Sequence, residues 1–477
     1  MISEDTCIEE RFARSALTED NPYQTTDDAM RWLNERGAEN ALLVERVPFT
    51  ALREWSFESS TGDLVHRTGK FFRVHGIRIH VSEGTEERSW LQPIVDQPEI
   101  GILGIIAKQI DGQLFFLMQA KLEPGNPAGV QLTPTLQATR SNYTQVHQGA
   151  RPKYLDYFLD RAAATPLVDQ LQFEQGSTFL RKRNRNVIVE VLEDVPVEED
   201  FRWFTLGQIK KLLRVPNLVS MDARTVLACI PLRDRAGHRA LGRGGDGGPQ
   251  KGSFGARLYQ SMAHGERPAN ADHVVQSWLT DVKCRVQLSV ERIPLADMPG
   301  WARHERAISH EGARFFEVVG VTVRAKNREV SAWDQPLVSP REKGMVAFLV
   351  KEIGGVLHFL VQGVVEPGNP DIVSVGATVH CVLSERSVHD PASWPPYMEE
   401  AVHAPQSAIR YSCVQSEEGG RFYHAENEYR VVEVDPTFAA VPSDRYCWVT
   451  LRQLNELVRW GLVNVEARSL LACLSIT

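Results

Sequence analysis

Apolar and polar positions alternate most clearly in a hairpin pattern that occurs twice along the chain. Two apolar runs, residues 101–110 and 114–122, are separated by the pair Asp111-Gly112. Asp-Gly between apolar runs favours a tight hairpin turn. The same arrangement returns at residues 345–353 and 356–365, where the separating pair is Gly-Gly. The pattern therefore predicts two similar β-hairpins.

The stretch that follows the first hairpin, residues 120–143, is unusually polar. It reads AKLEPGNPAGVQLTPTLQATRSNY and is broken twice by Pro and twice by Gly. With a period of two, Met118 and Ala120 face one side of the return strand, while Lys121 and Glu123 face the other. A solvent-facing strand edge or a surface loop would also look polar. The density of amides and hydroxyls favours the wall of a ligand site.

The chain repeats itself at a nearly constant offset. Glu123-Pro-Gly-Asn126 recurs as Glu366-Pro-Gly-Asn369, which is 366 − 123 = 243 positions later. The segment at Asp222–Cys229 (DARTVLAC) recurs as EARSLLAC, 244 positions later. Such agreement indicates a tandem duplication. We expect a tail at 1–26, a first repeat at 27–232, a flexible Gly/Arg-rich linker at 233–271 and a degenerate second repeat at 272–477.

Helical patterns flank the predicted strands in each repeat. A helix is expected to begin at an N-cap Thr26 and to stop near Gly37. An amphipathic helix is expected around residues 153–164, and a strand at 186–191. Two further helices are expected after Thr205 and over 222–230. Strands mixed with helices predict an α/β (α+β) fold made of two modules.

Composition narrows the function classes. The net charge is −8, which argues against a general binder of nucleic acid or of an acidic membrane. The seven cysteines are scattered, with no metal-ligand spacing. The start of the chain lacks a signal-peptide core, and no apolar run approaches the length of a membrane span. These features predict a cytoplasmic protein.

Four segments together resemble one known family. The combination of AKLEPGN, QLTPTLQATRSNY, RKRNRNVIVEV and FTLGQIKKLL…NLVSMDARTVLACIP is similar to the nucleotide-sugar 2,3-dehydratases of deoxysugar biosynthesis. The resemblance covers nearly the whole chain outside the tail and linker. It implies two Nudix-like repeats, a homodimer, and dehydration of a dTDP-4-keto-6-deoxy-hexose such as dTDP-4-keto-6-deoxyglucose to a 3,4-diketo-2,6-dideoxy sugar. It also implies a downstream 3-ketoreductase as functional partner, and the pathway is one that serves antibiotic biosynthesis.

This reaction is a β-elimination that needs a base, a general acid and a stabiliser of the enolate, and no redox cofactor. Expected cofactors and metals are therefore none. The candidate catalytic residues are Tyr143, His147, Lys121 and Glu123. Candidates for binding the sugar hydroxyls or the thymine are Gln131, Thr135, Gln137, Thr139, Ser141 and Asn142, and Asn126 is a further substrate-binding candidate. Arg140, like Lys121, could stabilise the enolate or bind the diphosphate. Candidates for binding the diphosphate or its surroundings are Arg183, Asn184, Arg185 and Arg224, the last of which fits a structural ion pair equally well.

The second copy keeps the Glu-Pro-Gly-Asn turn but loses most of the other candidates. At matching positions Lys121 becomes Val364, Gln137 becomes His380 and Tyr143 becomes Arg386. Catalysis is therefore expected in the first repeat, with the second as a scaffold or a degenerate nucleotide pocket. Because the turn is shared, Glu123 ranks below the residues found only in the first copy.

Two other functions remain open from the sequence. One is a non-catalytic protein that binds a nucleotide sugar. The other is a Nudix-type diphosphate hydrolase, which would need a glutamate-rich metal-binding helix that neither copy carries in its sequence.

Overall fold

A computed structural model gives the architecture. It describes residues 7–143, 151–231, 252–263, 265–312, 315–326, 330–382, 394–439 and 444–477, without the side chains of residues 142 and 143.

The first repeat contains helices and strands in an interleaved order. Its helices are α1 (Ile8–Leu17), α2 (Thr26–Glu39), α3 (Arg140–Tyr143), α4 (Asp156–Leu159), α5 (Leu206–Leu212) and α6 (Met221–Leu227). Its strands are β1 (Leu42–Val47), β2 (Trp55–Phe57), β3 (Leu64–His66), β4 (Arg73–Glu83), β5 (Glu86–Asp96), β6 (Gly101–Ile110), β7 (Gln113–Leu122), β8 (Val130–Thr133), β9 (Leu136–Ala138), β10 (Thr165–Phe173), β11 (Arg183–Val191) and β12 (Phe201–Phe204).

The second repeat follows the same plan. Its helices are α7 (Phe254–Ser261), α8 (Asp272–Arg285), α9 (Met398–Val402), α10 (Leu451–Arg459) and α11 (Val465–Ala472). Its strands are β13 (Val286–Ile293), β14 (Trp301–Arg303), β15 (Ala307–His310), β16 (Phe316–Ala325), β17 (Ala332–Pro340), β18 (Gly344–Ile353), β19 (Val356–Val364), β20 (Ser374–Gly376), β21 (Val379–Val382), β22 (Ile409–Ser416), β23 (Glu426–Glu433) and β24 (Tyr446–Thr450).

Each repeat is built on a mixed seven-stranded sheet. In the first repeat the order is β10-β11-β6-β7-β12, with β8 added to β7 and β9 added to β6; β22-β23-β18-β19-β24, with β20 and β21, is its counterpart. The predicted hairpins β6–β7 and β18–β19 are confirmed. Both turn residues have positive φ in each hairpin, 47° and 80° at Asp111-Gly112 and 60° and 84° at Gly354-Gly355, as a type I′ turn requires. The α+β class and the duplication are thus confirmed.

The two repeats exchange a strand. All of β1 pairs antiparallel with β16 of the second repeat, and all of β13 pairs antiparallel with β4 of the first. The largest hydrophobic cluster also contains residues of both repeats, among them Phe116 and Phe348, each fully buried. The duplicated halves are therefore interlocked, and each completes a sheet of the other.

The expected tail and linker both contain a helix that belongs to the modules. Phe12 of α1 and Leu258 of α7 are fully buried. In both helices a serine hydroxyl donates to a hairpin carbonyl: Ser15 to Leu114 O at 2.7 Å and Ser261 to Leu357 O at 2.6 Å. Helix α1 thus lies within the tail expected at 1–26, and helix α7 lies within the linker expected at 233–271.

Other boundaries shift for local reasons. Thr25, not Thr26, caps α2 by accepting from the Asp28 amide, and the helix runs through Gly37. The helix expected over 153–164 is confined to α4. The polar stretch is partly regular, because β8 and β9 lie within it. The strand at β11 and the helices α5 and α6 agree with the predictions.

Candidate functional site

The two Glu-Pro-Gly-Asn turns dock on loops of the opposite repeat. The Gly125 amide donates to Gly419 O at 2.7 Å, and the His424 amide donates to Gly125 O at 2.8 Å. The reciprocal contact joins Gly368 to Gly176 at 2.6 Å. A Cβ on Gly125 would collide with the Phe422 carbonyl, so only glycine allows this approach. The shared turn therefore builds the fold, and each turn brings a loop of the other repeat to its own pocket.

A chain of polar contacts starts at Lys121. Its Nζ lies 2.6 Å from Glu123 Oε1 and donates to Gln137 Oε1 at 2.9 Å. Gln137 then donates through Nε2 to Asp222 Oδ2 at the start of α6. The structure thus brings together three predicted residues, Lys121, Glu123 and Gln137, and adds a buried carboxyl that the sequence interpretation did not single out.

Carboxyl groups around this chain have raised pKa values. Burial raises the pKa of Asp222 well above its ordinary value, and the charges of Glu418 and Glu174 raise it further. The charge of Lys121 and the hydrogen bond from Gln137 act in the opposite direction and lower this pKa. Burial also raises the pKa of Glu418 to about 7, although nearby Arg421 opposes the shift. Near neutral pH the pocket therefore holds at least one carboxyl that can donate a proton.

Asn184 and Lys182 close the pocket on the β11 side. The Gly101 amide donates to Asn184 Oδ1 at 3.1 Å, and Asn184 Nδ2 donates to Glu174 Oε1 at 2.6 Å. Lys182 Nζ donates to Glu99 O, and burial lowers the pKa of this lysine to about 8. The predicted Asn184 therefore lies among the clustered groups, next to a second ammonium.

The neighbouring arginines of the basic run point the other way. Successive side chains of β11 alternate between faces, so Arg183 and Arg185 lie opposite Asn184. Arg183 is exposed. Arg185 Nε donates to Asp169 at 2.7 Å and Nη1 donates to Phe158 O at 3.1 Å. The structure does not bring these two arginines to the Lys121 chain.

Arg224 joins the two repeats through backbone carbonyls. It is fully buried, and it donates to Val219 O at 2.7 Å and to Ser416 O of the second repeat at 2.6 Å. Its counterpart Arg468 is equally buried and donates to Phe173 O of the first repeat at 2.7 Å. The pair makes reciprocal bonds across the duplication, which is a structural role.

Three further predicted binding residues are held by the framework. Gln131 donates to Asn217 O at 2.7 Å and to Ser416 Oγ at 2.6 Å. Thr135 donates to Leu117 O and accepts from the Ile106 amide at 3.0 Å. Asn126 donates to Gly129 O at 2.9 Å. All three are buried, and these contacts secure β8, β9 and the turn.

The remaining candidates lie at the end of the polar stretch. Ser141 Oγ donates to Glu99 Oε2 at 2.8 Å and lies 2.9 Å from Thr139 Oγ1. Arg140 is exposed at the start of α3. Asn142 and Tyr143 belong to α3 by their backbone, while their side chains and all of His147 lie outside the described residues.

Sequence reasoning missed four groups of the pocket: Asp222, Glu174, Glu418 and Arg421. Asp222 stood in the duplicated helix motif, where an acidic residue is kept in both copies, so that match was an available signal. Glu418 and Arg421 come from the second repeat, and only the docking of the turns shows that they belong to the first repeat's pocket.

Within the described residues no helix has the length and apolar character to cross a membrane.

The fold and the pocket define a class: a duplicated, strand-exchanged α+β protein with a half-buried lysine–carboxyl pocket suited to proton transfer. A family model described as NDP-hexose 2,3-dehydratase matches residues 26–230 and again 272–474. The chain belongs to this family, whose members are hydro-lyases.

Three relatives cover nearly the full chain, and each is named dTDP-4-dehydro-6-deoxy-alpha-D-glucopyranose 2,3-dehydratase. The protein from Saccharopolyspora spinosa is 46% identical over 97% of this chain and 94% of its own. Those from Amycolatopsis orientalis and Streptomyces violaceoruber are 44% and 43% identical over 98% and 93% of this chain, and over 93% and 95% of their own.

Proposed function

We propose that this protein removes the 2-hydroxyl of dTDP-4-keto-6-deoxyglucose to give a 3,4-diketo-2,6-dideoxy sugar. The relatives named for this substrate support the specificity. The observation that carries the chemistry is the Lys121 chain, in which an ammonium lies among carboxyls of raised pKa.

Lys121 stabilises the enolate in this proposal. When the proton leaves C3, negative charge collects on the C4 oxygen, and the half-buried Lys121 ammonium is a strong charged donor for it. Gln137 and Glu123 hold Nζ from two sides, at 2.9 and 2.6 Å. The charge is thus oriented before substrate enters.

Glu418 is the proposed general acid. A pKa of about 7 leaves its carboxyl partly protonated near neutral pH and suits it to protonating the departing C2 hydroxyl. Glu123 is the proposed base at C3, because it is the carboxylate paired directly with Lys121. Tyr143 and His147 remain predicted alternatives for the proton transfers.

The nucleotide would lie along the end of the polar stretch. Arg140 and Asn142 with Thr139 and Ser141 supply cationic and hydrogen-bonding groups for the diphosphate and sugar. Lys182 adds a buried ammonium close to this end through Glu99. Arg183 and Arg185 would contribute only to the charge outside the pocket.

Further features of the family resemblance belong to the same proposal. They are a Nudix-like fold for each repeat, a homodimer, a cytoplasmic location, and a 3-ketoreductase that consumes the labile product for antibiotic-sugar biosynthesis. Sedimentation of the purified protein tests the dimer.

The decisive experiment is incubation with dTDP-4-keto-6-deoxyglucose in D2O, with a 3-ketoreductase present to trap product, followed by mass spectrometry. A trapped, reduced product that lacks the C2 oxygen and carries deuterium at C2 supports the dehydratase. Release of dTMP would instead support a diphosphate hydrolase, and recovery of bound but unchanged substrate would support a non-catalytic binding protein.

Two variants separate the proposed roles in the same experiment. Glu418→Gln should still exchange the C3 proton for deuterium but should not lose the hydroxyl. Glu123→Gln should lose both exchange and elimination. If Glu418→Gln eliminates water at the normal rate, Glu418 is not the acid.

A further inference from the structure

The second repeat has a different set of groups at the positions of the Lys121 chain. Glu366 stands where the first repeat has Glu123, Glu466 where it has Asp222, and His380 where it has Gln137. The lysine itself is replaced by Val364. The carboxyls are thus kept, the cation between them is lost, and an imidazole is gained.

The three ionisable side chains converge. One ligand atom each from Glu366, His380 and Glu466 lie within 4.8 Å of one another. Ligands bound to Zn²⁺ at about 2.1 Å in tetrahedral geometry are about 3.5 Å apart. Rotations that move each group by about 1 Å or less would close this set around one ion.

An independent observation is that one buried oxygen of the cluster lacks a hydrogen-bond partner among the described residues. Glu466 is 2% exposed, and its Oε2 has no hydrogen-bond partner among the described residues. Such a buried acceptor is costly unless something binds it. Glu366 does receive bonds, from Asn369 Nδ2 at 3.3 Å and from the Ser177 amide of the first repeat, so these two fix its direction.

The nearest charged neighbours are engaged elsewhere. Arg468 donates to Val463 O, Phe173 O and Thr225 Oγ1. Glu417 accepts from Gln175 and Asn427. His380 contributes an imidazole nitrogen to the cluster, a ligand type that divalent transition metals accept.

We propose that Glu366, His380 and Glu466 form a binding site for one divalent transition-metal ion of the Zn²⁺ or Mn²⁺ type. Imidazole with carboxylates is a ligand set of such ions, whereas Mg²⁺ prefers six oxygens in octahedral geometry. The ion takes the position that the Lys121 ammonium has in the first repeat. The pocket of the first repeat thus contains the cation of a lysine side chain, and the pocket of the second repeat binds a metal cation from solution.

The test uses untagged full-length protein, stripped with a chelator, reloaded with Zn²⁺ or Mn²⁺ and separated from free ion by gel filtration. Metal analysis should find one equivalent per chain, and Mg²⁺ should not be retained. Unfolding by heat should occur at a higher temperature with metal than without, because the ion binds only the folded chain.

Two single substitutions give the second repeat the residue that the first repeat has at the matching position. His380→Gln removes the nitrogen ligand, and Val364→Lys supplies the missing ammonium. Both should lose the bound equivalent and the metal-dependent thermal shift, while their unfolding temperature in chelator matches or exceeds that of the parent. Glu123→Gln, in the first repeat, is the matched control and should keep the metal.

Two outcomes would overturn the site. One is less than a tenth of an equivalent of either metal in the parent protein, on the order of adventitious binding. The other is full retention by both His380→Gln and Val364→Lys, which would place the ion elsewhere. A variant that unfolds in chelator is replaced by Glu466→Gln, for which the same two readouts apply.

Discussion

Replacing Lys121 by methionine is the sharpest test of the proposed chemistry. Methionine keeps the length of the side chain and removes its charge. In the structure Nζ lies 2.6 Å from Glu123 Oε1, so the attraction between the two charges is about 6 kcal/mol at an effective dielectric constant of about 20. A comparable attraction toward the C4 oxygen arises only as the enolate forms, which places the effect on the transition state.

Part of that attraction is offset by the competing carboxylates, so the net loss should be nearer that of one oxyanion donor. Such a loss is about 3–4 kcal/mol, or about 10²–10³-fold in kcat. KM should change by less than about threefold, because the ground-state ketone carries no charge. Lys153→Met is the control, because that lysine forms an exposed ion pair with Glu198.

The assay is initial-rate dehydration with the ketoreductase trap in excess, combined with C3 deuterium exchange. Lys121→Met should slow exchange and elimination by the same factor, because both pass through the enolate. A kcat within about threefold of the parent would refute the enolate role. A normal exchange rate with slow elimination would instead show that Lys121 assists the departure of the C2 hydroxyl.

Three further predictions follow from single groups. A carboxyl whose pKa is raised to about 7 from 4.5 holds its proton more tightly when folded, so its contribution to stability falls as pH rises from about 4.5 to 7. The free energy of unfolding of Glu418→Gln, measured in urea, should therefore rise relative to that of the parent by up to about 3 kcal/mol as the pH increases from 5 to 8. Arg224→Met and Arg468→Met should each lower the free energy of unfolding by about 3 kcal/mol or more, because each leaves two buried carbonyls without donors; equal wild-type stability would contradict the reciprocal role. Gly125→Ala should destabilise more than Gly69→Ala, since a Cβ meets the Phe422 carbonyl at the first position and nothing within 4 Å at the second, and unfolding midpoints that are equal would contradict the docking of the turn.

The parts of the fold that depend on local pattern were predictable from the sequence. The hairpin turns, the strand at β11 and the capped helix α5 follow from near-neighbour chemistry. Helix α1 was not predicted because its sequence match to α7 is weak, and what the two share is the burial of Phe12 and Leu258. The exchange of β1 and β13 is a long-range pairing, which periodicity cannot reveal.

The candidate site was predictable only in part. Lys121 and Gln137 followed from their absence in the second copy, and the contact between them is present. Arg183 and Arg185 attracted attention through charge density, but alternation along β11 puts them on the other face. A run of like residues on a strand always divides between two faces, so density alone overstates what one face carries.

Composite pockets change how the degenerate second repeat is understood. If it were only a scaffold, its polar residues near the first repeat's turn would be free to vary in charge. Yet its loop places Glu418 and Arg421 beside Glu123 and Lys182, where their charges act on one another. In the same way the first repeat contributes the Ser177 amide, which donates to Glu366 in the pocket of the second repeat. Neither pocket can therefore be assembled from one repeat, and this mutual dependence gives a physical reason for the second repeat to keep its fold after losing the lysine.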